Sequence, residues 1–161
     1  MTPDELYDRY GEMMYRYLAL RLGSPEDAED VLQEAFCRLA RYSARWALVR
    51  DPKAFVFKVL RNEANRHLAR RIKRREGDRT NAERNPRLEG VVEAPADASA
   101  SLLARALGEL PDEQREVIVL KVFQDFSFKE TAAVCGISLN TAASRYRYGI
   151  EKLRSLLEGK A

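Results

Sequence analysis

Ser127-Phe128-Lys129-Glu130-Thr131-Ala132-Ala133-Val134-Cys135-Gly136-Ile137-Ser138-Leu139-Asn140-Thr141-Ala142-Ala143-Ser144-Arg145-Tyr146-Arg147 is the stretch on which the fold turns. Residues 127–134 read as a short helix, Cys135-Gly136-Ile137 as a tight turn, and Ser138 as the cap of a longer helix. That order is a helix-turn-helix: the alanines let two helices cross closely and the glycine supplies the turn backbone. The first turns of the second helix would present Ser138, Asn140, Thr141, Ser144, Arg145 and Arg147 to a DNA major groove. There arginine can pair with guanine edges or with phosphates. A helical hairpin that merely packs is the plain alternative; the Gly turn, the Ser cap and the two outward arginines favour DNA.

Upstream of this motif, Ser101 starts a short helix over 101–109, and Leu110-Pro111-Asp112 opens another to Phe123. Upstream of these, 76–100 loses all periodicity. It is rich in Asn, Glu, Asp, Ala and Pro and has no aromatic residue, so it is expected to be a flexible linker with too little to bury.

Three longer helices are expected in the first half. Leu6, Tyr10, Met13, Met14, Tyr17 and Leu18 repeat at helical spacing from Pro3 to about Leu22. Ser24-Pro25-Glu26-Asp27 is a cap-and-proline start with acids at the positive end of the helix dipole. The helix it opens turns Ala28, Val31, Leu32, Ala35, Phe36 and Leu39 inward and fades near Tyr42. Asp51-Pro52 repeats the signal and opens a helix to about Arg75, with Val56, Leu60, Ala64, Leu68 and Ile72 as its inner stripe. The fold class is therefore all-α: two small helical domains, 1–75 and 101–161, joined by a flexible acidic linker at 76–100, the second domain containing the helix-turn-helix. Because the linker offers little apolar surface, the two domains are expected to pack together only when an inhibitor holds them.

Charge follows the same division. Of the net +3, residues 1–75 hold 16 Lys+Arg against 11 Asp+Glu, 76–100 hold 3 against 6, and 101–161 hold 9 against 8. The third helix is the basic element: 58–75 carries eight Lys+Arg and a single acid, Glu63. Lys58, Arg61, Asn62, Asn65, Arg66, Arg70 and Lys73 lie off its apolar stripe, on a face that could follow a phosphate backbone. A charge run alone is usually a solvated face. Trp46 before this helix and Phe55 and Phe57 in its first turns are candidates for stacking on unpaired bases, core packing being the alternative. On the second helix, Asp30, Gln33 and Glu34 lie too far from the N-terminus for dipole compensation and are candidates for a basic protein partner.

Enzymatic readings lack their residues. His67 is the sole histidine and sits in the basic helix, more suited to a DNA face or to packing than to general-base work. Asp27, Asp30 and Glu34 have no His or Cys beside them, so neither a metal nor another cofactor is expected. Cys37 and Cys135 fall within apolar helical patterns and are expected as buried free thiols. No apolar run approaches a membrane span and the N-terminus has no basic-then-apolar signal, so a cytoplasmic protein without membrane insertion is expected.

The motifs stand in the order found in bacterial sigma factors of the extracytoplasmic-function (ECF) group, and the chain resembles that family over nearly its whole length outside the linker. Asp27-Ala28-Glu29-Asp30-Val31-Leu32-Gln33-Glu34-Ala35-Phe36 is similar to the family's polymerase-binding signature. Asp51-Pro52-Lys53-Ala54-Phe55-Val56-Phe57-Lys58-Val59-Leu60-Arg61-Asn62 is similar to its minus-ten recognition helix, and residues 110–154 resemble its minus-thirty-five reader. The resemblance implies a promoter-specificity subunit of RNA polymerase core. Asp30, Gln33 and Glu34 would meet the β′ clamp helices, and a flipped base would lie near Trp46, Phe57 and Asn62. The helix-turn-helix would hold upstream promoter DNA and contact the β flap, and an anti-sigma factor would be a partner. Ala143 stands where the family often has Lys or Arg, and Arg66 where an acid or Asn is frequent. The competing readings are a stand-alone helix-turn-helix regulator, a nuclease, and an adaptor that binds polymerase without DNA.

Overall fold

The computed structural model describes residues 1–77 and 98–159, and these are helical throughout apart from turns. The linker expected at 76–100 therefore lies largely outside the described residues. The helices are α1 (Pro3–Leu22), α2 (Pro25–Ala40), α3 (Pro52–Gly77), α4 (Ala98–Glu109), α5 (Asp112–Ile118), α6 (Phe128–Cys135) and α7 (Leu139–Glu158). A 3-10 turn over Ser43–Leu48 joins α2 to α3, and α5 widens into a π turn over Val119–Phe123.

Local chemistry sets the ends. Thr2 and Glu5 form a reciprocal capping box at the start of α1, and Ser127 and Glu130 repeat it at α6. Ser24 accepts from the Asp27 amide and Asp51 from the Ala54 amide at 3.2 Å, so both cap-and-proline signals open helices as expected. Gly136 ends α6 at φ 68° with nothing near the place a Cβ would occupy, so backbone conformation alone asks for glycine there.

Helices α1, α2 and α3 pack on one another as one group, while α4, α5 and α6 gather around α7 as a second. In the second group α5 and α7 cross at Gly149, where a Cβ would meet Ile118 Cδ1 at 2.7 Å. The two groups also pack together within the single chain, α3 against α6 and α1 against α4, α5 and the π turn. This differs from the expectation that they meet only under an inhibitor. Aromatic packing helps to join them: Phe57 of α3 lies edge-on between Tyr17 and Phe126, with ring centroids 5.6 and 5.0 Å away.

Three inward assignments change. Ile72 is 57% exposed and Leu68 only half-buried. Arg71 of α3 is level with the end of α1, donating to the Leu22 carbonyl, and with the start of α2, paired with Asp27. Past that level the helix overhangs its neighbours. Cys37 is exposed, because Ala28, Val31, Ala35 and Leu39 set the inner face of α2 and residue 37 points away from it; Cys135 is buried as expected.

Candidate nucleic-acid interface

The outward face of α3 presents Lys58, Asn62, Arg66, Arg70 and Lys73, all exposed. Between this face and the end of α2 runs a cleft of about 480 Å³ lined by Arg38, Arg41, Tyr42, Arg45, Val59, Asn62, Glu63 and Arg66. Four guanidiniums thus surround one carboxylate. Glu63 is 2% exposed, accepts from Arg66 at 3.1 Å and is ion-paired with Arg38, while its Oε2 has no hydrogen-bond partner. Helix α3 alone would carry Asn62 and Arg66; the end of α2 and the turn after it bring Arg38, Arg41 and Arg45 from another part of the sequence. Arginine pairs with phosphate through a planar fork, and the exposed ring of Tyr42 gives the cleft a surface on which a base can stack.

The stacking candidates differ from expectation. Phe57 is fully buried and Trp46 is 7% exposed. Trp46 is turned under the 3-10 turn, edge-on to Phe55 at 5.5 Å, and Tyr42 meets the same Phe55 ring at 5.3 Å. Both therefore serve as core in this form, and Tyr42 is the aromatic left at the cleft.

Arg61 and Asn65 face the second group. Arg61 is ion-paired with the buried Glu116 of α5, and Asn65 accepts from Arg21 at 2.6 Å. Arg21, 1% exposed, also reaches Asp112 at 3.0 Å, Glu116 at 3.9 Å and the Tyr17 hydroxyl at 3.2 Å. Burial opposes charge on Arg21, yet Tyr17, Glu116 and Asp112 around it outweigh that and raise its pKa. Burial also pushes the Tyr17 hydroxyl well above its ordinary range. Lys53 completes the seam, 4.2 Å over the Phe126 ring and 3.9 Å from Glu130. The sequence put Arg61 and Asn65 on the DNA face, and it assigned no role to Arg21, Asp112 or Glu116. The available signal was Arg21 itself, a charged residue one helical turn past Tyr17 on the apolar stripe of α1.

On the outer face of α2, Asp30, Gln33 and Glu34 are exposed, with Glu34 3.8 Å from Arg70. Asp27, at the foot of the same groove, binds Arg71 and His67, the latter at 3.2 Å. Burial would raise its pKa, but those hydrogen bonds hold its carboxyl below the ordinary value. His67 is thus engaged in joining α2 to α3.

At the start of α7, Ser138 accepts from the Thr141 amide at 3.0 Å and meets its hydroxyl at 2.8 Å. Asn140 and Arg147 are exposed, the guanidinium of Arg147 lying 5.1 Å from the Tyr148 ring centroid. Thr141, Ser144 and Arg145 are half-buried, and Arg145 is 3.6 Å from Glu113 of α5. Among the described residues no cluster of His, Cys, Asp and Glu could hold a metal ion, and no helix is long and apolar enough to cross a membrane.

Comparison with known proteins finds two family matches along the chain. The model of Sigma-70 region 2 matches residues 6–75, and that of Sigma-70, region 4 matches residues 100–153. The chain is 31% identical over 156 residues to the ECF RNA polymerase sigma factor SigL of Mycobacterium tuberculosis, covering 95% of this chain and 87% of that one. It is 32% identical over 138 residues to the ECF RNA polymerase sigma factor BldN of Streptomyces coelicolor; that match covers 81% of this chain and 51% of BldN, about half that relative's length. Among solved structures, the sigma factor RpoE in complex with the anti-sigma factor NepR, from Bartonella quintana, shares the fold at a TM-score of 0.79 and 23% identity, over 96% of this chain and 97% of that one. CnrH in complex with the cytosolic domain of CnrY aligns at a TM-score of 0.72 and 25% identity, over 99% and 89%.

Proposed function

The chain belongs to the extracytoplasmic-function group of RNA polymerase sigma factors, and from that premise we propose how its surfaces divide the work of promoter recognition. Residues 1–75 form the domain that binds polymerase core and the minus-ten element, 101–161 the domain that reads the minus-thirty-five element, and 76–100 the acidic linker between them. The observation that carries this reading is the arginine cleft between α2 and α3, a strand-sized cationic groove with an aromatic ring and an amide at its wall.

In it, Arg38, Arg41, Arg45 and Arg66 hold the phosphates of the separated strand while Tyr42 and Asn62 meet a base. Phosphate contacts position the complex and base contacts specify it. Lys58, Arg70 and Lys73 extend the phosphate track along α3. Asn140, Thr141, Ser144, Arg145 and Arg147 read upstream duplex from the capped start of α7, and the same domain contacts the β flap. Asp30, Gln33 and Glu34 give the β′ clamp helices an acidic, solvent-facing patch. In this reading the chain catalyses no reaction, requires no cofactor and acts in the cytoplasm, where core polymerase is. An anti-sigma factor is a further partner, a reading supported by the similar sigma factor RpoE solved in complex with an anti-sigma factor.

Runoff transcription on fragmented genomic DNA with core polymerase tests the proposal. New discrete start sites that appear only when this chain is added are expected. DNA binding without initiation would instead identify a stand-alone helix-turn-helix regulator.

A further inference from the structure

Glu63 is an acid set among the groups that would hold phosphates. It is the single acid of the basic stretch 58–75, and it lines the cleft with Arg38, Arg41, Arg45 and Arg66 while remaining 2% exposed. A carboxylate there repels a phosphate backbone and gives up its own hydration, so its presence needs a reason. Its two oxygens differ. Oε1 takes the Arg66 guanidinium at 3.1 Å and the ion pair with Arg38, whereas Oε2 is buried without a hydrogen-bond partner. A buried acceptor without a donor costs free energy. At the wall of a binding cleft it points to a donor that arrives with the ligand.

We propose that Glu63 is a base-reading residue: its Oε2 accepts from the exocyclic amine of a base held in the cleft, which selects cytosine, adenine or guanine against thymine. The inference rests on the reading of this cleft as the path of a separated strand. An ionised carboxylate only accepts hydrogen bonds. Cytosine offers N4–H2, adenine N6–H2 and guanine N2–H2. Thymine has no amine, and its carbonyl oxygens meet the same carboxylate with repulsion. The Tyr42 ring, on the same cleft, offers a face to any base and does not discriminate. Arg38 and Arg66, which hold the carboxylate, are both about half exposed, so each can swing to a strand phosphate. As they do, Glu63 loses hydrogen bonds that an incoming amine restores.

The test uses the full-length chain and its Glu63→Gln variant, which keeps the shape and the acceptor toward Arg66 but places an amide donor where the second acceptor stood. Thermal melting checks that the variant is folded. Fluorescence anisotropy then reads affinity for short strands of oligo-dC and oligo-dT, two pyrimidines that differ at the amine, with oligo-dA as a second amine-bearing strand. Wild type is expected to bind oligo-dC and oligo-dA about fivefold more tightly than oligo-dT, the low end of what one base contact discriminates. Glu63→Gln, whose amide can donate to thymine O4, should bring the dC to dT ratio to about one. Equal affinity of wild type for dC and dT overturns the proposal without any variant. A folded variant that loses affinity for all strands alike overturns it too, because Glu63 would then only position Arg38 and Arg66. If wild type binds no strand, alone or with core polymerase, the strand-path reading itself falls, an outcome distinct from binding without preference.

Discussion

Arg61 and Glu116 lie 55 positions apart in the chain and are ion-paired across the seam between the two helical groups, with Glu116 2% exposed. Removing one member of a buried pair strands the other. Glu116→Ala is therefore expected to lower the unfolding free energy of the full chain by about 3–5 kcal/mol, read by urea titration. The double change Arg61→Met with Glu116→Leu should restore most of it. A single variant within half a kilocalorie per mole (roughly the scatter of surface substitutions) would mean the pair is not formed in solution.

The arginine cleft makes a prediction about salt. Each phosphate contact on a single strand contributes about 0.7 to the slope of log affinity against log salt. Replacing Arg38, Arg41 and Arg45 together by alanine should flatten that slope by about 2 and weaken binding to single strands. Anisotropy across a salt series checks it; an unchanged slope would remove these arginines from the strand path.

Polymerase binding and upstream DNA binding should separate. Gln33→Ala with Glu34→Ala is expected to reduce affinity for core and leave duplex binding alone. Arg145→Ala with Arg147→Ala should do the reverse. Co-sedimentation with core and electrophoretic mobility shift on an upstream duplex distinguish them.

Thiol chemistry reports on the fold. Cys37 is exposed, whereas burial pushes the Cys135 thiol up to about 12. Because the thiolate is the nucleophile, iodoacetamide at neutral pH should modify Cys37 alone in the native chain. Mass spectrometry of labelled peptides would show both only after denaturation.

Gly149→Ala should be costly although alanine suits helices better. Its Cβ would stand 2.7 Å from Ile118 Cδ1 and 3.2 Å from Gln114 Cβ. Overpacking of this kind costs about 1–3 kcal/mol, visible as a lowered midpoint in the same urea titration. Pairing it with Ile118→Val should recover part of the loss.

Helix positions were legible because they are written locally. Ser24-Pro25, Asp51-Pro52 and Ser138 each announce a cap within a few residues, and the helix-turn-helix sits inside one continuous stretch. Legibility failed where meaning depends on residues distant in the chain. Phe57 can be read from sequence as a stacking platform or as core, and Phe126 and Tyr17 beside it make it core. Arg38, Arg41 and Arg45 look like unrelated surface charges until the turn folds them toward Asn62 and Arg66. Arg66 itself, a departure from the family pattern, is explained only by Glu63 one turn earlier, a buried acid that accepts its guanidinium.

The separation of Arg61 from Glu116 has a consequence during synthesis. At roughly 5–20 residues per second, a ribosome makes Glu116 about 3–11 s after Arg61. Through that interval the acids of α5 do not yet exist. The nascent stretch over residues 1–75 then carries 16 Lys+Arg against 11 Asp+Glu, and Arg61 lacks the α5 carboxylate that pairs with it in the folded chain. Each molecule of this protein is thus made with Arg61 lacking its α5 partner, and the pair can close only once α5 has followed.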